Sequence, residues 1–380
     1  MYYVIAKADA DDVLLESLEG NNTRTRQVSV GPDLVMSAVT VPAVAGADTP
    51  MAVSYTVGNK GGAAAPASSL RFYWSANSGL DATDTPLLSH DVGSVAPAGG
   101  SSGQASLIVP SGVATGTYYV IAEADSSKVV PEASEINNTA ARAVRIGGDL
   151  VISAFSTQAA LGAGATFVAS DTTKNTGGSP VGASVTSFYL SSDLMLSATD
   201  TLVGSRPVNP LAPGEVSVLS TTLTVPAGTP VGSYFLFAKA DAGNSVAETQ
   251  ETNNSSGRGV GVGPDLNVSI ASATTPVRAG SPTLITDSVT NTGGGDAGPS
   301  IVRYYLSTNS TFEAGDVSLE ASRSILSLAA GTSSNGSTSA TIPAGTTPGS
   351  YYVIARVDSD QSVAESSETN NTRARLIRVD

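Results

Sequence analysis

The sequence contains no cysteine, one histidine and few aromatic residues. The absence of cysteine excludes a disulfide framework, a thiolate metal site and a cysteine nucleophile. His90 is the single histidine, and no nucleophile-elbow motif accompanies it. We therefore expect a protein that is not an enzyme.

Basic residues are scarce as well. Lys and Arg number 19 against 33 Asp and Glu, which gives a formal net charge of −14. Such a chain lacks the basic footprint with which proteins bind nucleic acid or anionic membranes. No apolar run approaches the roughly 18 residues of a spanning helix. The sequence thus predicts no nucleic-acid partner and no membrane insertion. It shows no signal-peptide pattern, so we expect an export signal to have been lost or to lie upstream.

What the sequence does contain is a repeat of domain size. The string Tyr-Tyr-Val-Ile-Ala-Lys-Ala-Asp recurs with small changes at intervals of 116, 116 and 117 residues, namely at 2–9, 118–125, 234–241 and 351–358. This period is too long for a solenoid repeat and suits a whole domain. Three complete units are expected, at 32–147, 148–263 and 264–380. Residues 1–31 are expected to be the last two strands of a truncated preceding unit.

Each complete unit contains about seven short apolar segments separated by Gly- and Pro-rich turns. This pattern is typical of an immunoglobulin-like sandwich. In the first unit the expected strands are 33–41, 51–58, 69–75, 86–93, 103–109, 117–125 and 138–146. The predicted fold class is all-β: tandem immunoglobulin-like (fibronectin type III-like) seven-stranded β-sandwiches. Because about two residues join successive units, we also expect a stiff or semi-stiff rod.

Three recurring features bring a family into view. Each unit begins with Asp-Leu after Gly or Pro, as at Asp149-Leu150. A turn Asn-Thr-Gly-Gly follows the second strand at 175–178 and 291–294, with Asn-Lys-Gly-Gly at 59–62. Each unit ends with Glu-x-x-Glu-x-Asn-Asn. Together they resemble CARDB, the cell adhesion related domain found in bacteria. The resemblance implies a sandwich fold in extracellular or cell-surface proteins with adhesive or spacer roles.

An acidic loop follows the sixth strand in every copy of the repeat. Each loop carries an Asp, two Glu and an Asn pair within 14 residues, and the candidate ligands are Asp9, Glu16, Glu19, Asn21; Asp125, Glu132, Glu135, Asn137; Asp241, Glu248, Glu251, Asn253; and Asp358, Glu365, Glu368, Asn370. Ca²⁺ takes six to eight oxygen ligands of these types, although the spacing is not that of an EF-hand. In the alternative interpretation the acids cap turns and the Asn side chains bond to the backbone. The sequence leaves both open.

A second candidate cation site follows the third strand. Two positions carry Asp or Asn in each unit: Asn77 and Asp84, Asp193 and Asp200, Asn309 and Asp316. Oxygen atoms in such a loop could bind Ca²⁺. The position between them varies, and the alternative is a scaffold of Asx turns.

Two functions from different classes fit these observations. The first is an extracellular structural or adhesive stalk or fibre, stabilised by Ca²⁺, with self-association into a fibre or surface layer. The second is a glycan- or protein-binding ancillary module of a larger secreted protein or hydrolase. Equivalent loops in every unit favour the stalk. His90 does not repeat, because a constant period places Arg206 and Ser322 at the same position.

Residues 1–31 supply only two strands, at about 2–9 and 22–30. They carry apolar residues such as Val4 and Ile5 that would normally face a core. A two-stranded hairpin is marginal by itself in water. It could dock on a neighbouring domain or be completed by another chain. We favour a third explanation, that the chain is a section of a longer array, since Met1 stands where Thr or Ser precedes the Tyr elsewhere.

Overall fold

The computed structural model describes residues 2–28 and 30–380. Within these ranges nearly all regular structure is β-strand, and one short 3-10 helix occurs at Glu19–Asn21. None of the described residues forms a helix long and apolar enough to cross a membrane. The all-β prediction is confirmed.

The first complete unit forms a two-layer sandwich. Its strands are β3 (Leu34–Thr40), β4 (Val44–Ala45), β5 (Pro50–Asn59), β6 (Ser68–Ser75), β7 (Thr85–Val92), β8 (Gly100–Ile108), β9 (Gly116–Ala124) and β10 (Thr139–Ile146). One sheet has the order β3-β5-β8, and the other has the order β4-β10-β9-β6-β7. The near-continuous apolar strand β9 lies between β10 and β6, in the interior of its sheet as its composition predicts.

The second and third units repeat this arrangement. Unit 2 contains β11 (Leu150–Thr157), β12 (Ala160–Leu161), β13 (Thr166–Asn175), β14 (Ser184–Ser191), β15 (Thr201–Val208), β16 (Val216–Thr224), β17 (Gly232–Lys239) and β18 (Ser255–Val262). Unit 3 contains β19 (Leu266–Ala273), β20 (Pro282–Asn291), β21 (Ser300–Ser307), β22 (Val317–Ile325), β23 (Ser333–Thr341), β24 (Gly349–Arg356) and β25 (Thr372–Val379). Their sheets have the orders β11-β13-β16 and β12-β18-β17-β14-β15, then β19-β20-β23 and β22-β21-β24-β25. The predicted immunoglobulin-like sandwich is confirmed in all three.

Two short elements escaped the sequence-based prediction. Strand β4 pairs in parallel with the end of β10, and β12 pairs in the same way with β18. Two residues carry too little periodicity to indicate a strand. In unit 3 this pairing shrinks to a single bridge between Val277 and Val379.

Each core lies between the two sheets, where alternate residues of facing strands meet. Phe72, Phe188 and Tyr304 occupy the same central position of the three units and are fully buried. Burying an aromatic or aliphatic side chain of this size contributes about 1.5–3 kcal/mol. Three well-filled cores explain how the units dispense with disulfides.

One residue equivalence expected from the sequence is wrong. In unit 2, Arg206 lies opposite Thr186, but in unit 3 the residue opposite Val302 is Arg323 and not Ser322. Unit 3 has one additional residue in this region, where Glu320 adopts a positive φ of 52° at an irregularity of the β21–β22 pairing. The constant period of 116 residues therefore fails after this point.

Residues ahead of the first complete unit form a hairpin. Strand β1 (Tyr2–Lys7) pairs with β2 (Thr23–Val28) in the register that β9 and β10 use in unit 1. Tyr2, Val4 and Ile5 are 63%, 59% and 63% exposed. Met1 and Ser29, which the sequence interpretation places before the first strand and within the second, lie outside the described residues.

Successive units follow one another closely. Strand β10 ends at Ile146 and β11 begins at Leu150, while β18 ends at Val262 and β19 begins at Leu266. Side chains also cross the junctions: Arg145 Nη1 donates to Gln250 Oε1 at 2.5 Å, and Ser233 Oγ donates to the Ser366 carbonyl at 3.3 Å.

Candidate functional site

The acidic segments predicted from the sequence connect the last two strands of each unit. We call them the carboxylate loops: residues 125–138 between β9 and β10, 241–254 between β17 and β18, and 358–371 between β24 and β25. Residues 9–22 form the corresponding loop of the hairpin. All four begin with an Asp in the left-handed region, with φ between 41° and 47°.

The first Asp organises its loop from the inside. Asp125, Asp241 and Asp358 are at most 2% exposed and adopt a left-handed φ between 41° and 47°, a conformation that Asp tolerates better than most residues. The Asp241 carboxylate accepts the N–H groups of Ser245 and Val246, at 3.1 and 2.9 Å. Asp125 and Asp358 accept the corresponding pairs. The loop is thus wound around this carboxylate.

The first Glu ties the loop to the beginning of the unit. Oε2 of Glu248 accepts the N–H of Leu150 at 2.6 Å, where β11 starts. Glu132 and Glu365 accept the equivalent N–H groups of Leu34 and Leu266 in short hydrogen bonds. The contact joins residues about 98 positions apart, and hydrogen bonds to charged acceptors contribute about 1.5–3 kcal/mol.

The Asn pair completes this connection. The second Asn of each pair, Asn254 in unit 2, donates to Oε1 of the first Glu at 3.1 Å. The first, Asn253, donates to Oδ1 of Asp149 at 3.1 Å, beside the start of β11. Units 1 and 3 repeat both contacts. The recurring Asp-Leu start and the Glu-x-x-Glu-x-Asn-Asn ending are therefore two halves of one hydrogen-bonded cluster.

The first Glu of each complete unit is electrostatically unusual. Burial raises the pKa of Glu132, Glu248 and Glu365 to about 7, against the opposing effect of the strand N–H that favours the carboxylate. Repulsion from the second Glu of the loop adds to the increase. Near neutral pH, both the protonated and the ionised forms of these three Glu side chains are therefore populated.

In unit 3 three of the predicted ligands come together. Oxygen atoms of Asp358, Glu365 and Glu368 all lie within 4.8 Å of one another, the one such acidic group found in the described part of the chain. The amide nitrogen of Asn371 donates to Glu365 and Glu368 at 3.0 and 3.3 Å, while its buried Oδ1 has no hydrogen-bond partner. A cation bound there would lessen the carboxylate repulsion. Asn370 instead directs its amide nitrogen to Asp265.

The hairpin loop has the motif without the partner strand. Asp9 accepts the N–H groups of Val13 and Leu14 at 3.0 and 2.9 Å, as its counterparts do. Glu19 accepts the N–H of Glu16 at 2.9 Å. Glu16 and Asn21 are exposed. The loop therefore folds locally even where it has no first strand to hold.

The second predicted site consists of turns with local hydrogen bonds. Oδ1 of Asn77, Asp193 and Asn309 accepts a backbone N–H two residues later, at 2.7–2.8 Å. Asp84, Asp200 and Asp316 each accept the N–H three residues earlier, at 2.6–2.8 Å. Two hydrogen bonds from Thr83 lower the pKa of the neighbouring Asp81. These are the contacts of an Asx-turn scaffold; Ca²⁺ binding by these residues stays a prediction.

The CARDB family model matches residues 31–142, 147–258 and 263–375. The chain belongs to the CARDB family. The three matches begin at the junctions and end beyond the carboxylate loops, so they include the whole cluster described above in each unit.

Solved structures similar to this chain include a CARDB domain, a transglutaminase and a macroglobulin. A CARDB domain from Pyrococcus furiosus, solved in complex with di-metal ions, is 24% identical, covers 32% of this chain and 94% of its own, and has a TM-score of 0.26. Red sea bream transglutaminase is 13% identical over 62% of this chain and 32% of its own, with a TM-score of 0.34. The alpha-2-macroglobulin of E. coli is 13% identical over 93% and 23%, with a TM-score of 0.28. No curated protein matches the chain.

The sequence did not predict the hydrogen-bond partners of the carboxylate loops at the start of each unit. Asp149 recurs with the repeat, and in the folded chain it accepts hydrogen bonds from both Asn253 and Thr176, the latter at 2.6 Å. Polar residues that recur with the period at a strand start are the signal that could have indicated this. The backbone N–H of Leu150, which is also part of the cluster, leaves no trace in a sequence.

Proposed function

We propose that this chain acts as an extracellular or cell-surface stalk, a non-catalytic array whose units hold another molecule or surface at a distance. The observation that carries the proposal is the close succession of complete sandwiches. About three residues separate the last strand of one unit from the first strand of the next, with side-chain contacts across each junction. Such a short connection restricts hinge motion, unlike a Gly/Ser-rich linker.

Small-angle X-ray scattering of the whole chain tests the rod. We expect a pair-distance distribution with the long tail of an extended particle, together with a narrow ensemble of lengths. A compact or highly flexible particle would contradict a stalk. Location is tested separately by brief protease treatment of intact source cells. Release of CARDB peptides is expected, and their retention inside the cells would contradict an extracellular role.

We further propose that Ca²⁺ stabilises the array through the carboxylate loops, with the loop of unit 3 as its best-formed site. The clustered oxygens of Asp358, Glu365 and Glu368 distinguish unit 3, whereas a buried Asn Oδ1 atom without a partner occurs in all three units, at Asn138, Asn254 and Asn371. Extracellular modules bind Ca²⁺ with dissociation constants of roughly 10⁻⁴–10⁻³ M. A few millimolar Ca²⁺ then stabilises each occupied unit by about 1 kcal/mol.

Calorimetric titration with Ca²⁺ and thermal unfolding test this proposal. Unfolding midpoints in EDTA and in millimolar Ca²⁺ should differ for the wild-type chain. Glu368→Gln should weaken binding, whereas the matched change Glu251→Gln in unit 2 should have a smaller effect. Equal midpoints, with no heat of binding, would overturn the calcium proposal without touching the stalk.

A binding module is the second function to consider, because a groove lies on unit 3 where unit 1 has a pair of stacked aromatic rings. In unit 1, Trp74 stacks on Tyr118 with ring centroids 5.2 Å apart. Unit 3 has Leu306 in place of this Trp, and a groove of about 320 Å³ lies between Leu306 and Tyr351. Such a groove fits a sugar ring or an apolar peptide side chain. Glycan-array binding that disappears in Tyr351→Ala would favour this function over a simple stalk.

A further inference from the structure

At each junction between complete units, a glycine of one unit contacts a glycine of the next. Gly46 follows strand β4 in unit 1, and Gly162 follows β12 in unit 2; both are buried. A β-carbon on Gly46 would lie 2.6 Å from the carbonyl oxygen of Gly178 in the next unit, and one on Gly162 would collide with the carbonyl oxygen of Gly294. Real β-carbons essentially never come within 3.0 Å of another heavy atom.

The other side of each junction is also glycine. Gly178 and Gly294 are the last residues of the two Asn-Thr-Gly-Gly turns. A β-carbon on Gly178 would lie 2.6 Å from Cα of Ala45, and one on Gly294 would lie 2.6 Å from Cα of Leu161. At these glycines, backbone therefore packs directly on backbone, with no side chain between the two contacting segments. A contact of this kind has few alternative arrangements, because it contains no rotamers to change.

Units 1 and 3 differ from the two junctions at these same positions. In unit 1 the turn glycine is Gly62, which is exposed; among the described residues, a β-carbon on it would have no neighbour within 4 Å. In unit 3 the residue after the bridging Val277 is Arg278, which is exposed and takes the place of Gly46 and Gly162. Arg278 has the β-carbon that both observed junctions exclude.

We propose that the glycine-to-glycine contact fixes the orientation between successive CARDB units. Arg278 stands in unit 3 where units 1 and 2 have Gly46 and Gly162, and it prevents a further unit from docking on unit 3 through the same contact. The partner that docks on Gly46 or Gly162 is the Gly-Gly turn of the following CARDB unit. Units 1 and 2 have the glycine that this docking requires, and unit 3 does not. This goes beyond a stalk function, because it assigns the residues that decide which unit can follow which.

Spin-label distances test the first part directly. The chain has no cysteine, so exposed Thr222 in unit 2 and Ser339 in unit 3 can be changed to Cys and labelled without background. Double electron–electron resonance should give a narrow distance distribution in this chain. Adding Gly162→Arg should broaden it, because the β-carbon prevents the contact with Gly294.

A matched control separates the junction from general damage to unit 2. Gly243→Arg introduces the same side chain at an exposed glycine with nothing within 4 Å, and should leave the distribution narrow. Gly162→Arg should still fold, because unit 3 carries Arg278 at this position, and circular dichroism checks this. A narrow distribution in the folded Gly162→Arg chain would overturn the proposal.

The second part requires a unit placed after unit 3. A second copy of residues 264–380 is appended to Asp380, with Ser339→Cys in both copies. With Arg278 in the first copy the distances should be broadly distributed, and Arg278→Gly in that copy should narrow them. Equally narrow distributions in the two chains would show that Arg278 does not prevent this docking, and equally broad ones would show that glycine there is not sufficient; either result overturns the proposal.

Discussion

Arg206 lies in the core of unit 2 and donates from Nε and Nη2 to the two carboxylate oxygens of Asp171, at 2.7 and 2.6 Å. Both side chains are at most 2% exposed. Thr173 and Ser217 accept further hydrogen bonds from the guanidinium group, so the buried charges are paired and their polar atoms have partners. Unit 3 has the same pair as Asp287 and Arg323.

Unit 1 fills this position without an ion pair. Buried Tyr55 and exposed His90 replace the Asp and the Arg, and their rings meet edge to face with centroids 5.7 Å apart. The same fold thus accommodates either an Asp–Arg ion pair or a Tyr–His ring pair at this position. A buried ion pair contributes little over a well-packed neutral pair, but removing one partner leaves an uncompensated charge.

We predict that Arg206→Ala destabilises unit 2 by about 3–5 kcal/mol, because it leaves Asp171 buried without its partner. The triple change Asp171→Tyr, Arg206→His and Leu219→Gly, copied from unit 1, should lose much less; the glycine is needed because a β-carbon opposite Tyr55, at Gly103, would lie 2.5 Å from the Tyr55 hydroxyl. Hydrogen exchange followed by mass spectrometry assigns the loss to peptides of unit 2 in the three-unit chain. Equal losses in the single and triple variants would contradict this account.

The second prediction concerns Glu132 and its counterpart in the hairpin. Glu132→Ala leaves the Leu34 N–H and the Asn138 amide without their acceptor, so unit 1 should lose about 1–3 kcal/mol. Trp74 is the single Trp and is buried in unit 1, so its fluorescence in denaturant reports on this unit. Glu16→Ala is the matched control, since exposed Glu16 has no first strand to hold; a loss as large as that of Glu132→Ala would contradict the role assigned to the loop.

The third prediction is a pH dependence with a definite sign. The pKa of Glu132, Glu248 and Glu365 is about 7 in the folded chain and that of an unfolded Glu is about 4.3. The folded state therefore holds more protons between these values, and this contribution to stability is present below about pH 4.3 and disappears as the pH rises through 7.

Thermal unfolding in EDTA at several pH values measures the effect. The wild-type midpoint should fall between pH 5 and pH 8 by more than that of the chain with Glu→Gln at all three positions. Ca²⁺ competes with the proton, so its stabilising effect should grow over the same interval. Parallel midpoint curves for the two chains would show that these three groups do not cause the dependence.

The sequence predicts the units and most strands because period and alternation are repeated signals. In unit 1, for example, the strand expected at 69–75 is found as Ser68–Ser75. Strand β8 begins at Gly100 and not at the expected residue 103, because Gly100 resembles a turn residue in the sequence but pairs with Gly58 in the sheet. Single insertions are harder to see: one residue near Glu320 shifted the equivalence and hid the repeated ion pair, since Arg323 no longer lay at a constant spacing from Arg206.

The candidate site was predictable only in part. The repeated acidic residues indicated that the loops share one role. A sequence does not distinguish a carboxylate that accepts backbone N–H groups from a carboxylate that binds a cation. The folded chain adds the backbone contacts that these carboxylates make, such as the Leu150 N–H on Glu248, and Ca²⁺ binding stays a prediction. The junction glycines were visible as a turn motif, yet their neighbours belong to another unit and cannot be inferred from local spacing.

The last prediction restores a contact that unit 1 lacks. In units 2 and 3, Thr176 and Thr292 donate from Oγ1 to the Asp carboxylate at the start of the unit, at 2.6 and 2.8 Å. Unit 1 has Lys60 at this position, and its backbone N–H bonds to the Asp33 carbonyl as in the other units. Because the backbone already has the required path, Lys60→Thr can form the missing hydrogen bond with Asp33 and should stabilise unit 1 by about 0.5–1.5 kcal/mol. Trp74 fluorescence in denaturant measures this change, and Lys60→Ser should give a smaller gain, since Ser holds its hydroxyl less firmly than β-branched Thr. An unchanged midpoint for Lys60→Thr, with Lys60→Ala equally stable, would show that the Asp carboxylate needs no hydroxyl donor to hold the start of the unit.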